Sequence, residues 1–251
     1  MIEFRGNMQN MHKRFDDEMQ TQNKDQNENP EINSINQEMR IGFIRKVYGV
    51  LSVQLLITVI MCSLTFNDEI RQSLLKNMPI FWFCLGISIV TIIPLVCCKS
   101  VARKVPINYV LLFIWTFCQS YMVAVCCSVY DKNIVFSAAA MTCGATIALT
   151  LYACTTKDDF SVCGGLLFVT VFLLFIFMIL SFFFNSFFNN FICFLSVVAY
   201  SIYLVMDTQL VMGNLGVAYD IDDYIIAAMN IYIDIIQIFL RILELLGRKN
   251  S

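Results

Sequence analysis

Seven apolar runs, each about 20 residues long and separated by short polar breaks, dominate this sequence. A helix needs about 20 mainly apolar residues to cross the hydrocarbon core of a bilayer. The runs lie at residues 47–66, 78–98, 107–129, 133–154, 162–184, 187–212 and 224–246. The sequence therefore predicts an all-α integral membrane protein, a bundle of seven transmembrane helices whose surroundings are the lipid bilayer.

The charge content excludes an ordinary soluble domain. Only 14 % of the 251 residues are charged, against roughly 25 % in soluble proteins. Of these 36 charged residues, 15 lie within residues 1–46, so the remaining chain is still more apolar. The net charge is −2 and the sequence has no basic cluster interleaved with aromatic residues, which argues against nucleic acid as a partner.

The break between the fifth and sixth runs is the weakest of the breaks. It consists of Asn185 and Ser186, carries no charge and is flanked by phenylalanines on both sides. A chain with six spans, in which these two runs form one long bent helix, is the alternative to the seven-span count.

Residues 1–40 form a polar segment rich in Asn and Gln. Such a composition cannot offset the entropy lost on ordering, so we expect a disordered tail before a membrane domain at residues 41–251. If all seven runs span, Lys and Arg number 11 on the side of the amino terminus and 5 on the other side. The positive-inside rule therefore predicts a cytoplasmic amino terminus.

The 11 cysteines lie inside the apolar runs and form no Cys-x-x-Cys pattern. We interpret them as small buried hydrophobic side chains. The single histidine, His12, lies in the polar segment, so the sequence offers no Cys and His spacing for zinc. No disulfide framework, resident metal or other cofactor is expected.

Four ionisable residues lie inside the predicted spans, where a charge costs at least ~2.5–3.5 kcal/mol. They are Asp207, Asp234, Arg241 and Glu244. Arg241 and Glu244 are three residues apart near the end of the last span. We expect them to pair on one helical face or to reach the membrane interface.

Asp207 and Asp234 are the strongest functional candidates, because they lie in consecutive antiparallel spans. At 1.5 Å per residue, their depths from the same membrane face are about 8 Å and about 15 Å, or about 12 Å and about 15 Å if the sixth helix continues to Leu215. If the two carboxyl groups meet, burial and like-charge repulsion make them share a proton. Without that proton they form a hard, doubly negative oxygen site that suits a transient Ca²⁺ ion.

Two structural alternatives accompany this hypothesis. Each aspartate could instead cap a neighbouring helix or bond a tyrosine such as Tyr200, Tyr203 or Tyr232. The loop between the spans carries three further carboxylates, Asp220, Asp222 and Asp223. They either guide cations toward the two aspartates or form a solvated polar loop.

Four groups of residues resemble the motifs of one membrane-protein family. Residues 44–48 and 51–56 read IRKVY and LSVQLL, residues 156–160 read TKDDF, residues 206–210 read MDTQL and residues 224–236 read YIIAAMNIYIDII. Together these motifs are similar to those of the transmembrane Bax-inhibitor-motif family, in particular its Lifeguard-like, glutamate-receptor-associated branch. The resemblance covers residues 41–248.

The resemblance implies a bundle in which six helices surround the last one. It also implies a pH-sensitive Ca²⁺ leak across internal membranes, here expected to be the endoplasmic reticulum or Golgi, that maintains calcium homeostasis and restrains cell death. In that family the aspartates matching Asp207 and Asp234 sense protons and control the pore. A basic residue after the second span contacts this pair; Arg103 is the match here, and an alignment on Ala102 stays open. The histidine that precedes the corresponding proline in some members is absent from this chain, so proton sensing would fall to carboxylates.

Three other functions share single features with this sequence. An intramembrane aspartyl protease also pairs two membrane aspartates, but its Tyr-Asp and Gly-x-Gly-Asp patterns are absent here, so no enzyme activity is expected. A rhodopsin-like receptor would carry Asp-Arg-Tyr and Asn-Pro-x-x-Tyr motifs, which this chain lacks. A non-conducting regulator that binds channels or cell-death proteins through the polar tail is the remaining alternative.

Overall fold

A computed structural model gives the fold. It describes the backbone of residues 30–156, 186–213 and 219–249, with the side chains of residues 34–156, 190–213 and 219–248. Within these ranges the regular secondary structure is entirely α-helical, as the sequence predicts. The chain divides into two compact units, Met1–Phe43 and Ile44–Ser251.

The described residues form eight helices, numbered here in chain order. Their bounds are α1 Pro30–Leu64, α2 Asp68–Lys76, α3 Met78–Cys97, α4 Lys99–Ala102, α5 Ile107–Ser128, α6 Lys132–Thr155, α7 Ser186–Met212 and α8 Tyr224–Lys249.

Six of these helices are long and apolar enough to cross a membrane. The candidate spans are Ser34–Leu64, Met78–Cys97, Ile107–Ser128, Lys132–Thr155, Asn190–Met212 and Tyr224–Arg248. They match every predicted run except the fifth, residues 162–184, which lies outside the described residues. The seven-span count and its six-span alternative both stay predictions. Large apolar side chains on the spans face outward, as lipid contact requires; Val90 and Phe136 are 68 % and 70 % exposed.

The first helix begins earlier than the composition predicts. Residues 30–40 belong to the segment predicted to be disordered, but α1 starts at Pro30. Proline suits the first helical position because its φ is already helical and its missing N–H would have no partner there. A helix that already exists in the apolar span extends into the preceding residues at little cost, because nucleation is the expensive step. Residues 1–29 lie outside the described part of the chain, where disorder stays a prediction.

The last helix is the most deeply buried of the six described spans. It packs against α5, α6 and α7, and α6 also packs against α7. Its fully buried side chains include Ile225, Met229, Ile231 and Ile238. The prediction that six helices surround α8 stays a prediction, because the fifth run is not described.

Helix α7 ends at Met212, and the next residue is a glycine. Gly213 has a φ of 70°, a left-handed conformation that other residues avoid. Its N–H donates to the Gln209 carbonyl at 2.8 Å, which satisfies one carbonyl of the last turn. Farther along, the N–H of Tyr219 donates to the Leu210 carbonyl at 3.3 Å. The chain after α7 therefore returns to the end of that helix.

Candidate functional site

The structure brings Asp207 and Asp234 together, and we call them the aspartate pair. Asp207 lies on α7 and Asp234 on α8, and the two helices pack against each other. The two residues are only 6 % and 5 % exposed, and their carboxyl groups lie close enough to interact directly. Oδ2 of Asp234 accepts no hydrogen bond from a donor group among the described residues. Two carboxyl groups can share a hydrogen bond only if one of them carries a proton.

A tyrosine and an asparagine adjoin the aspartate pair. The Tyr219 hydroxyl lies 3.4 Å from Oδ1 of Asp207, a long hydrogen bond, and Nδ2 of Asn230 donates to the same hydroxyl at 2.8 Å. Because the Asn230 amide supplies a proton to the hydroxyl oxygen, the hydroxyl's own proton points toward Asp207. Burial raises the pKa of Tyr219, and the Asp207 carboxylate raises it further, so this hydroxyl stays protonated.

Sequence reasoning missed both of these residues. Asn230 precedes Asp234 by four residues and shares its helical face, a spacing that could have pointed to it. Tyr219 lies twelve residues after Asp207 across a loop, and no local pattern marks it.

Among the described residues, no hydrogen bond joins Tyr200, Tyr203 or Tyr232 to the aspartate pair, although Tyr203 lies close enough to both aspartates to interact electrostatically. The Tyr232 hydroxyl lies 2.8 Å from Oγ1 of Thr58, and its ring packs edge-on against Trp115. Tyr200 and Tyr203 face each other on α7, with ring centroids 6.4 Å apart. Asp207 contacts a different tyrosine, Tyr219, in the loop before α8.

A buried polar layer joins α1, α5 and α8 beside the site. Oγ1 of Thr58 donates to the Gln54 carbonyl at 3.0 Å and lies 2.8 Å from both the Ser120 and the Tyr232 hydroxyls. One turn away along α1, Nε2 of Gln54 donates a hydrogen bond to the Thr116 hydroxyl at 3.1 Å. Tyr232 lies two residues before Asp234, so this layer fixes the helix that carries one member of the pair.

Among the described residues, Arg103 forms its ion pairs with loop aspartates and not with the aspartate pair. The expectation that Arg103 is the basic partner of that pair is corrected accordingly. Its Nε donates to Oδ1 of Asp223 at 2.7 Å, and its Nη2 donates to Oδ2 of Asp223 at 2.8 Å and to Oδ2 of Asp220 at 2.6 Å. We call these three residues the loop clamp. The physical reason is position: α4 ends at Ala102, so Arg103 lies beside the loop before α8, whereas the two aspartates lie inside their helices.

The loop clamp sets the electrostatics of this end of the bundle. Hydrogen bonds from Arg103 hold the pKa of Asp223 below its usual range, and the same bonds raise the pKa of Arg103. Two of the three carboxylates proposed to guide cations are thus paired with a guanidinium. The third, Asp222, is exposed.

The opposite end of α8 carries a second charged group. Oε2 of Glu244 accepts from Arg241 at 3.1 Å, and Oε1 accepts from Arg248 at 2.6 Å. This confirms the predicted pairing of Arg241 with Glu244. By contrast, neither member of the aspartate pair forms an ion pair with a Lys or Arg side chain of the described residues.

The described residues include no group of three or more His, Cys, Asp or Glu side chains placed to hold a metal ion. Ca²⁺ takes six to eight oxygen ligands in a resident site. The aspartate pair alone supplies too few oxygens for such a site, so any Ca²⁺ there would be passing cargo.

Comparisons with known proteins agree with the architecture. Residues 40–251 match the family described as Inhibitor of apoptosis-promoting Bax1. Protein lifeguard 3 of Homo sapiens is 34 % identical over 219 residues, which cover 85 % of this chain and 70 % of that protein. The Mus musculus protein of the same name is 32 % identical over 219 residues, covering 85 % and 71 %. The BI1-like protein of Arabidopsis thaliana is 31 % identical over 224 residues, covering 85 % and 83 %.

These matches confirm the resemblance carried by the motifs in the first, sixth and last spans. They extend over nearly all of the chain that follows the polar tail. This chain is therefore a multi-pass membrane protein of the Bax1-inhibitor family, similar to the Lifeguard proteins.

Proposed function

We propose that this protein is a pH-sensitive Ca²⁺ leak channel of an internal membrane, the endoplasmic reticulum or Golgi, and that it restrains cell death. The aspartate pair is its proton sensor. The observation that carries the proposal is the burial of two interacting carboxyl groups on adjacent membrane helices. The proposal assigns the protein no catalytic reaction.

The pair responds to pH through its shared proton. Two ionised carboxylates at this separation repel each other and are poorly solvated, so one proton held between them is favoured. With the proton in place, the hydrogen bond fastens α7 to α8. Loss of the proton removes that bond and leaves two negative charges that push the helices apart.

Ca²⁺ competes with the proton for the same oxygens. A deprotonated pair is a hard, doubly negative site, which a divalent cation enters more readily than a monovalent one. Because the two aspartates supply only part of a coordination shell, the ion keeps water ligands and leaves again. Fast release is what conduction through a narrow site requires.

The groups around the pair support this assignment. Tyr219 orients the Asp207 carboxyl from the loop, and Asn230 on α8 holds the Tyr219 hydroxyl in place. The loop clamp fastens that loop to the end of α4, which keeps Tyr219 over the pair. We infer that Asp220, Asp222 and Asp223 are not an open cation path while Arg103 binds two of them.

Calcium flux from proteoliposomes tests the proposal. Full-length protein is reconstituted alone, and Ca²⁺ release is followed at several pH values for wild type, Asp207→Asn and Asp234→Asn. We expect wild-type flux to exceed that of empty liposomes and to vary with pH, and each variant to change the rate and weaken its pH dependence. Asp222→Asn is the matched control, because this exposed aspartate in the adjoining loop should leave both unchanged.

Each failure has its own meaning. Absence of flux at every pH would reject the channel. Flux whose pH dependence survives both substitutions would reject the aspartate pair as the sensor while keeping the channel.

A non-conducting regulator is the second candidate, favoured by the family's description as an inhibitor of a protein, Bax1. Such a protein would act by binding channels or cell-death proteins. Deletion of residues 1–29, which precede α1, separates the two functions. A leak channel should keep its flux without this segment, whereas a regulator that binds through the segment should lose its effect on cell death.

A further inference from the structure

Two cysteines that are 65 residues apart in sequence meet at one end of the bundle. Sγ of Cys127 donates a weak hydrogen bond to Sγ of Cys62 across 3.8 Å. Cys62 is half-buried, and Cys127 is 1 % exposed. Their separation in sequence explains why motif reasoning found no cysteine site.

The pair lies near water at the membrane face away from the loop clamp. Cys62 is two residues from the end of α1 at Leu64, and Cys127 is one residue from the end of α5 at Ser128. At 1.5 Å per residue, both lie within about 3 Å of a helix end. Beyond them, Nε of Arg71 donates to the Ser128 carbonyl at 2.7 Å and closes this end with α2.

The contact continues a regular row between α1 and α5. Gln54 bonds Thr116, and Thr58 bonds Ser120, one turn farther along. Cys62 follows one more turn along the same face of α1. The helices are therefore already held in register where the thiols meet, and a disulfide needs the sulfurs, now 3.8 Å apart, to approach by about 1.8 Å.

We propose that Cys62 and Cys127 are a redox modification site, joined reversibly into a disulfide that fastens α1 to α5. The oxidant is a small-molecule disulfide such as oxidised glutathione. Cys62, the more accessible residue, attacks it as the thiolate, forms a mixed disulfide and releases one thiol. Cys127 then attacks the mixed disulfide through its thiolate and releases the second thiol. Two cysteine thiols and one external disulfide become one protein disulfide and two external thiols, so atoms and electrons balance.

The compartment suits this chemistry. If the amino terminus is cytoplasmic, as the positive-inside count predicts, the end of α1 faces the non-cytoplasmic side of the membrane. That is the side on which disulfides form and persist.

The chain contains a matched control. Cys84 and Cys118 also lie within side-chain hydrogen-bonding range of each other, on α3 and α5. They are 8 % and 5 % exposed and lie inside their helices rather than at the ends. These two thiols are therefore also neighbours, but an oxidant in the water phase cannot reach either of them.

Peptide mapping distinguishes the two pairs. Permeabilised membranes that hold the full-length protein are treated with oxidised glutathione, free thiols are alkylated, and the protein is digested with trypsin and analysed by mass spectrometry. Cleavage after Lys and Arg places Cys62 in residues 47–71, Cys118, Cys126 and Cys127 in residues 105–132, and Cys84, Cys97 and Cys98 in residues 77–99. We expect a linked pair of peptides 47–71 and 105–132 that disappears after reduction, with no link from Cys84 to peptide 105–132.

Single variants identify the partner within peptide 105–132. Cys126→Ser and Cys118→Ser should keep the linked peptides, and Cys127→Ser should lose them. The wild-type result does not depend on whether the buried Cys127 tolerates substitution. The proposal is overturned if oxidation yields no linked peptides, if the link survives Cys127→Ser but not Cys126→Ser, or if Cys84 is linked to peptide 105–132 to the same extent.

Discussion

The ion pair between Arg103 and Asp223 makes a pH-dependent contribution to stability. Arg103 holds the pKa of Asp223 below its usual value, so the stabilisation is present above the unfolded pKa of about 3.9 and is lost as the pH falls through the lower folded value. We expect Asp223→Asn to lower the Tm of the detergent-solubilised protein at pH 7. The Tm values of variant and wild type should converge as the pH falls through the lowered pKa of Asp223 in the folded protein.

Asp222→Asn is the control for that measurement. The exposed Asp222 adjoins Asp223 in sequence and has the same charge, so substituting it changes the net charge equally. Its Tm should follow that of wild type at each pH. A Tm loss in Asp223→Asn that persisted unchanged at acid pH would mean that the ion pair does not contribute the stabilisation.

Single residues also show what the sequence could reveal about the site. Asp207, Asp234, Arg241 and Glu244 were identifiable because charge is rare and costly inside an apolar run. The two partners of Arg103 were not identifiable, because Asp220 and Asp223 lie 117 and 120 residues away in a loop. Contacts made by loops depend on the packing of helices, which hydropathy does not encode.

At the scale of elements, the polar layer around Thr58 connects three helices. Thr58→Val keeps the side-chain volume but removes the acceptor for the Ser120 and Tyr232 hydroxyls, which are both buried. Buried hydroxyls that lose their partners cost about 1–3 kcal/mol. We expect the free energy of unfolding in detergent micelles to fall by about that amount.

Thr91→Val isolates the part of this effect that comes from bonds between helices. Thr91 is also buried, at 7 % exposure, but its hydroxyl donates only to carbonyls of its own helix, Ile87 and Ser88. Its substitution should therefore cost clearly less than that of Thr58. Equal losses would show that the bonds to α5 and α8 do not stabilise the bundle.

Helix bounds follow the apolar runs where polar residues interrupt the chain. The predicted run 78–98 corresponds to Met78–Cys97, and the run 107–129 to Ile107–Ser128. The start of α1 departs from its run by 17 residues, since the run begins at 47 and the helix at Pro30. Hydropathy reports how much helix a bilayer can hold, whereas capping and propensity decide where the helix ends.

At the scale of the whole molecule, the two ends of the bundle carry different chemistry. The loop clamp and Tyr219 adjoin the end where α8 begins, near the aspartate pair. Glu244 and its two arginines lie toward the end where α8 finishes. A proton sensor reached from the first end and a redox site reached from the second would respond to the two compartments separately.

That separation depends on the number and direction of the spans, which glycosylation mapping can measure. The chain contains no Asn-x-Ser/Thr acceptor, so an added one is read without background. Seven spans with a cytoplasmic amino terminus place the two ends of the chain on opposite sides of the membrane. We expect an acceptor appended after Ser251 to be glycosylated in microsomes, and the same acceptor placed before Met1 to stay unmodified. If neither is modified, the six-span alternative is correct; if only the amino-terminal acceptor is modified, the orientation is reversed and the cysteine pair faces the cytoplasm.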